Sequence, residues 1–122
     1  MREVAYNVAA ANGVGLSPDG KVVYAAETET SRLWAFDIVA PGQVAKQSFP
    51  SPHGGRFVCG LPGFQRFDSL ALDAHGNICV ATLMTGQICV IAPSGELLKQ
   101  VDFPDRYVTN LCFGGIGMKT AY

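Results

Sequence analysis

Three polar residues hold corresponding places along this chain: Asn12, Asp68 and Asn110. Each stands just ahead of a short apolar run. One carboxylate with amide oxygens is a hard-oxygen donor set, the kind that suits Ca²⁺, Mg²⁺ or Mn²⁺. A single negative charge is little for a divalent cation, so one more acidic ligand is expected from outside the set. The competing explanation is local, because Asn and Asp also cap turns that lead into strands. An internal repeat is what ties the three together.

Residues 12–26 (NGVGLSPDGKVVYAA) align without a gap with residues 68–82 (DSLALDAHGNICVAT) at an offset of 56. Leu16 meets Leu72, Gly20 meets Gly76 and Ala25 meets Ala81. With one residue removed, 30–36 (TSRLWAF) meet 85–91 (TGQICVI). A third copy begins at Asn110, 42 residues after Asp68. Runs such as 21–26 (KVVYAA), 32–38 (RLWAFDI), 77–81 (NICVA), 87–92 (QICVIA) and 97–103 (LLKQVDF) are bounded by turn residues and read as strands. Ser17-Pro18-Asp19-Gly20 is a tight-turn sequence, and 74–77 and 93–96 end similarly. No long stretch carries a 3.6-residue period.

A period of about 40–55 residues with four short strands per unit predicts an all-β chain of β-propeller blades. The expected layout within 1–122 is a blade over 10–50, an insertion and connection over 41–67, a blade over 68–105 and a half blade over 108–122. The Pro- and Gly-rich 41–67 stretch is expected to include the outer strand of the first blade. A closed propeller needs about four to eight blades. The chain is therefore expected to be a piece of a ring, or to complete one as a homodimer. The first strand of a propeller blade lines the channel, so Asn12, Asp68 and Asn110 should converge at one end of it.

Composition narrows the partners. Apolar residues make up 48% and charged residues 16%, with a net charge of −1. Phosphate binding needs a basic surface, so no nucleic acid is expected. No apolar run approaches the roughly 20 residues of a membrane helix, and the N-terminal residues do not read as a secretory leader. The four cysteines (Cys59, Cys79, Cys89, Cys112) form no Cys-x-x-Cys pair. Buried free thiols are expected, with Cys79, Cys89 and Cys112 in strand-like runs, which suits a cytoplasmic location.

Other chemistry-bearing residues carry less. His75 falls in a turn and is expected to face solvent. His53, within the insertion, could reach the channel mouth. Arg56 and Arg66 flank the insertion and are expected to be solvated, and Trp34 to pack within its blade. Glu27 meets Leu83 in the repeat, an asymmetry that hints at a role. Gly-x-Ser-x-Gly is absent, so no serine-hydrolase elbow is supported.

The runs 12–27 (NGVGLSPDGKVVYAAE), 32–37 (RLWAFD), 68–81 (DSLALDAHGNICVA) and 109–115 (TNLCFGG) resemble the gluconolactonase family, which includes senescence marker protein (regucalcin) and luciferin-regenerating enzyme. The resemblance covers nearly everything outside 41–65 and matches the second half of a six-bladed propeller. It implies hydrolysis of a small-molecule sugar-type lactone with one divalent metal on the axis, calcium first, with Zn, Mg or Mn as alternatives. It implies Asn12 and Asp68 as metal ligands, Asp68 as the catalytic residue that orients or deprotonates water, and Asn110 as a substrate contact. Ser69 stands where the family usually has Gly. The family's Glu ligand and its substrate-contacting Arg and Asn have no counterpart here. That lack favours a second reading for the isolated chain, a non-catalytic binding or assembly module. A third is a strictosidine-synthase-like propeller, which uses no catalytic metal.

Overall fold

A computed structural model describes residues 3–122. The first sheet is built from β1 (Ala11–Leu16), β2 (Val22–Glu27), β3 (Arg32–Ala40), β4 (Gln43–Val44) and β5 (Arg56–Gly60). All pairings are antiparallel. β5 runs along the first half of β3, with Leu33 opposite Cys59 and Ala35 opposite Arg56. β4 pairs only with the far end of β3, at Ile38 and Ala40. The four-strand meander β1-β2-β3-β5 is one propeller blade, and the outer strand lies inside the Pro- and Gly-rich stretch.

The second sheet runs in simple order: β6 (Arg66–Leu72), β7 (Ile78–Leu83), β8 (Gln87–Ile91) and β9 (Leu97–Asp102). A third sheet has two short strands, β10 (Phe113–Gly114) and β11 (Thr120–Ala121), around a 3-10 turn at Ile116–Met118. The turns follow from their residues. Gly20 adopts φ 70°, and its N–H bonds the Ser17 carbonyl at 2.8 Å. The other two turns close on Asp73–Gly76 and Ala92–Gly95, one residue earlier than the sequence windows.

Side-chain alternation along the strands places the core between the sheets. Tyr24, Ala26, Leu33, Ala35, Val58 and Cys59 of the first sheet meet Phe67, Leu70, Ile78, Val80, Cys89 and Ile91 of the second. The other face of the second sheet (Cys79, Ala81, Ile88) packs on Leu111, with Val108 and Phe113 beside it. β7 is thus buried on both faces, which accounts for its unbroken apolar run. All four cysteines are free. Cys112, however, is exposed, whereas Cys59 from the connecting stretch is buried. Cys112 precedes β10 and contributes backbone rather than side chain, its N–H and C=O bonding Tyr122 at 3.0 and 2.9 Å.

Candidate functional site

The site begins with a defect repeated in two strands. In the first sheet Ala11 pairs with Glu27 and Val14 with Ala25, so Asn12 and Gly13 together face one residue, Ala26. In the second sheet Phe67 pairs with Thr82 and Leu70 with Val80, so Asp68 and Ser69 together face Ala81. Each is a β-bulge, which bends the strand and re-aims a side chain that would otherwise follow the pleat. Both bulges fall on the residues that the repeat aligned.

The two bulges touch. A Cβ on Gly13 would lie 2.6 Å from the Asp68 carbonyl oxygen, 2.7 Å from the Leu70 nitrogen and 2.9 Å from the Ser69 carbonyl carbon. Only glycine lets the main chains approach that closely. The Ser69 N–H donates to the Thr109 carbonyl at 3.2 Å, which draws the third copy against the second. The first residues of three successive units are therefore chained by backbone contacts. Ser69 has no positive φ, so this position does not require glycine.

Asn12 is exposed and Asp68 half-buried, on adjacent first strands. Asn110 is placed differently from the expectation. It lies before β10 rather than in a strand, and its Oδ1 accepts a 2.8 Å bond from the Leu111 N–H. The structure therefore brings the main chain beside Asn12 against that of Asp68 and Ser69 at Gly13. Asn110 is joined to them only through its neighbour Thr109.

Glu27 braces the entrance to β1. It is 3% exposed and accepts hydrogen bonds from the Ala9 N–H (2.7 Å), the Trp34 indole (3.1 Å) and the Thr30 hydroxyl. Burial pushes its carboxyl upward, but the bonds from Thr30, Ala9 and Trp34 together hold it below its usual range. The Thr28 N–H donates to the Ala10 carbonyl at 3.1 Å, fixing the same segment from the next residue. The sequence sign of this brace was the asymmetry between Glu27 and Leu83.

His53 is buried, with its ring 4.4 Å edge-on from Trp34 and 5.6 Å from Phe36. Its Nδ1 accepts from the Gly55 N–H at 3.3 Å, and its Nε2 is buried without a partner. Burial pushes its pKa down. It packs against the first blade instead of standing free at a channel mouth. His75 is exposed, and Trp34 packs within its blade at 5% exposure. The bulges themselves were not foreseen, although Asn12-Gly13 carried the sign of a close backbone approach.

Asn12 and Asp68 offer hard oxygens of the kind a divalent cation takes, and Asp68 is engaged in no salt bridge among the described residues. The Gly13 contact also keeps a Cβ out of the place where the two bulges meet. No group of three or more His, Cys, Asp or Glu stands together among the described residues, so a donor set here would draw on neutral oxygens as well as Asp68.

Four-stranded antiparallel sheets that recur along the chain and pack face to face on a shared core define a β-propeller. The chain belongs to the SMP-30/Gluconolactonase/LRE-like family, whose description matches residues 1–122. It is 31% identical over 103 residues to lactonase drp35 of Staphylococcus saprophyticus, covering 84% of this chain and 30% of that protein. It is 28% identical over 119 residues to 6-deoxy-6-sulfogluconolactonase of Pseudomonas putida, covering 98% of this chain and 39% of that one. The fold matches a calcium-binding protein, regucalcin, from Agrobacterium tumefaciens with a TM-score of 0.75 at 22% identity, covering 88% of this chain and 35% of that one. The chain thus spans 30–39% of the length of these relatives.

Proposed function

We propose that this chain carries the amide–carboxylate part of a lactonase centre that hydrolyses a sugar-type lactone with the aid of one divalent cation. The observation that carries the reading is the pair of matched bulges joined at Gly13. Family membership and the two lactonase relatives supply the reaction class. Asn12 through its amide oxygen and Asp68 through its carboxylate would hold the ion, with calcium the first choice over Zn, Mg or Mn. Such an ion polarises a lactone carbonyl or a water. Asp68 orients the attacking water by accepting its hydrogen bond; as the water oxygen bonds to the acyl carbon and the ring acyl C–O bond opens, the proton that leaves the water passes through Asp68 to the departing ring oxygen. Asn110 turns its amide NH₂ toward substrate, since its carbonyl oxygen is engaged with Leu111.

A family-type Glu would complete the charge of the site. A second copy that closes the ring as a homodimer is the arrangement we propose for this chain alone, in the cytoplasm. Exposed Val14 (68%) and Leu16 (53%) on β1, and the groove lined by Val101, Phe103 and Phe113, give two apolar flanks for that contact. The lack of a second carboxylate clustered with Asp68 among the described residues favours the non-catalytic module as the second reading for the monomer.

Solution mass with and without calcium, together with gluconolactone hydrolysis by pH-stat, tests the proposal. A dimer tightened by calcium, with hydrolysis abolished by Asp68→Asn and Asn12→Ala, is expected. A calcium-indifferent monomer without activity would assign the chain to the module reading.

A further inference from the structure

Away from the bulges, the outer edge of the first blade carries an open cavity of about 680 Å³. Its walls are Trp34 of β3, Phe57 of β5 and the loop bearing Phe49 and Pro50, with Arg32 at its border. Three properties set it apart from a casual surface dent. Its aromatic groups are partly unburied: Phe49 is 95% exposed and Phe57 53%, while Trp34, 5.5 Å from Phe57, is nearly covered. Its loop is internally built. Ser51 donates to the Gly55 carbonyl (2.7 Å) and accepts from the Gly54 N–H (2.9 Å), and the Gln47 N–H donates to the Gly54 carbonyl (2.8 Å). Beneath it, His53 abuts Trp34 and fixes the indole from the far side.

The charge is equally specific. Arg56 also borders the cavity, but its guanidinium faces Asp37 at 3.7 Å. Arg32 has no carboxylate within ion-pair distance among the described residues. Aromatic faces bind flat apolar bodies, and a free guanidinium binds a carboxylate in bidentate fashion. A pocket that joins the two selects a ligand with both parts.

We infer that this cavity binds an aryl carboxylate, with its ring among Trp34, Phe49 and Phe57 and its carboxylate on Arg32. The site is separate from the bulges and does not depend on the lactonase reading.

Trp34 is the only tryptophan in the chain, so the indole emission comes from a residue in the wall of this cavity. Phenylacetate titrated into the whole chain should change that emission saturably. Phenylacetamide, which lacks the charge, should bind about tenfold more weakly. Arg32→Gln should bring phenylacetate down to the level of the amide, and Phe49→Ala should weaken both. Phe49 is too exposed for its removal to unfold the protein. Asp68→Asn should leave the titration unchanged, so failure here and failure of the lactonase reading are told apart. No saturable change, phenylacetate binding left at the parent's level by Arg32→Gln or by Phe49→Ala, or an equal response to inorganic phosphate would overturn the inference.

Discussion

Gly13→Ala is the sharpest test of how the two blades are joined. The new Cβ would meet three backbone atoms at 2.6, 2.7 and 2.9 Å. Restoring about 3.4 Å to the closest of them requires β1 to withdraw from β6 by roughly 0.8 Å. None of the three atoms can rotate away, so the cost should sit at the upper end of the ~1–3 kcal/mol for overpacking. Gly15→Ala is the control. Its Cβ would meet side-chain atoms alone, chiefly the Cδ1 methyls of Leu72 and Leu70. Those can change rotamer for about 0.5–1.5 kcal/mol. Urea unfolding followed through Trp34 fluorescence should therefore rank Gly13→Ala below Gly15→Ala, and both below the parent chain. A displacement approaching 1 Å at Asn12 should also weaken any catalysis by about 10²-fold. The reasoning fails if Gly13→Ala is as stable as Gly15→Ala, or if it hydrolyses lactone at the parent's rate.

Acid should destabilise the fold through two groups acting in the same direction. The pKa values of Glu27 and His53 are both held below their usual ranges in the folded state. Their stabilisation is present above the unfolded values, about 4.3 and 6.5, and is lost as pH falls through them. Unfolding free energy measured from pH 8 to pH 2 should fall in two stages, the first below about 6.5 and the second below about 4.3, and His53→Gln should flatten the first. A thiol reagent should find one fast cysteine, Cys112, in the native chain and four in denaturant. Cys59 and Cys79 are buried, and burial pushes each thiol up to about 11. Phe67→Ala, at a fully buried side chain between the two blades, should cost about 3–5 kcal/mol in the same urea assay. A cost below 1 kcal/mol would mean that the blades do not share one core.

The strands were legible because each is short, apolar and bounded by turn residues whose backbone needs are specific. Gly20 and Gly76, aligned by the repeat, both adopt positive φ. The propeller followed from the repeat, since a unit of four strands that recurs along the chain must bury its faces against its neighbours. The bulges were not legible, because a one-residue slip in pairing leaves the order of residue types unchanged. Cys112 looked buried because its neighbours Leu111 and Phe113 are apolar, but its strand begins one residue later. His53 and Glu27 show a related limit. Both polar side chains are buried by partners distant in sequence, such as Trp34 and Ala9, that no local window displays.

The matched bulges carry one more consequence. Because the main chain aims the side chain, the address of a donor is a property of the unit and not of the residue that occupies it. Under the proposed reading, an amide and an acid could trade places between the first and second blades and leave the donor pair unchanged in kind. A ring of such units can thus acquire, lose or move a charge by a single change at one recurring address. The rest of each blade need not be rebuilt.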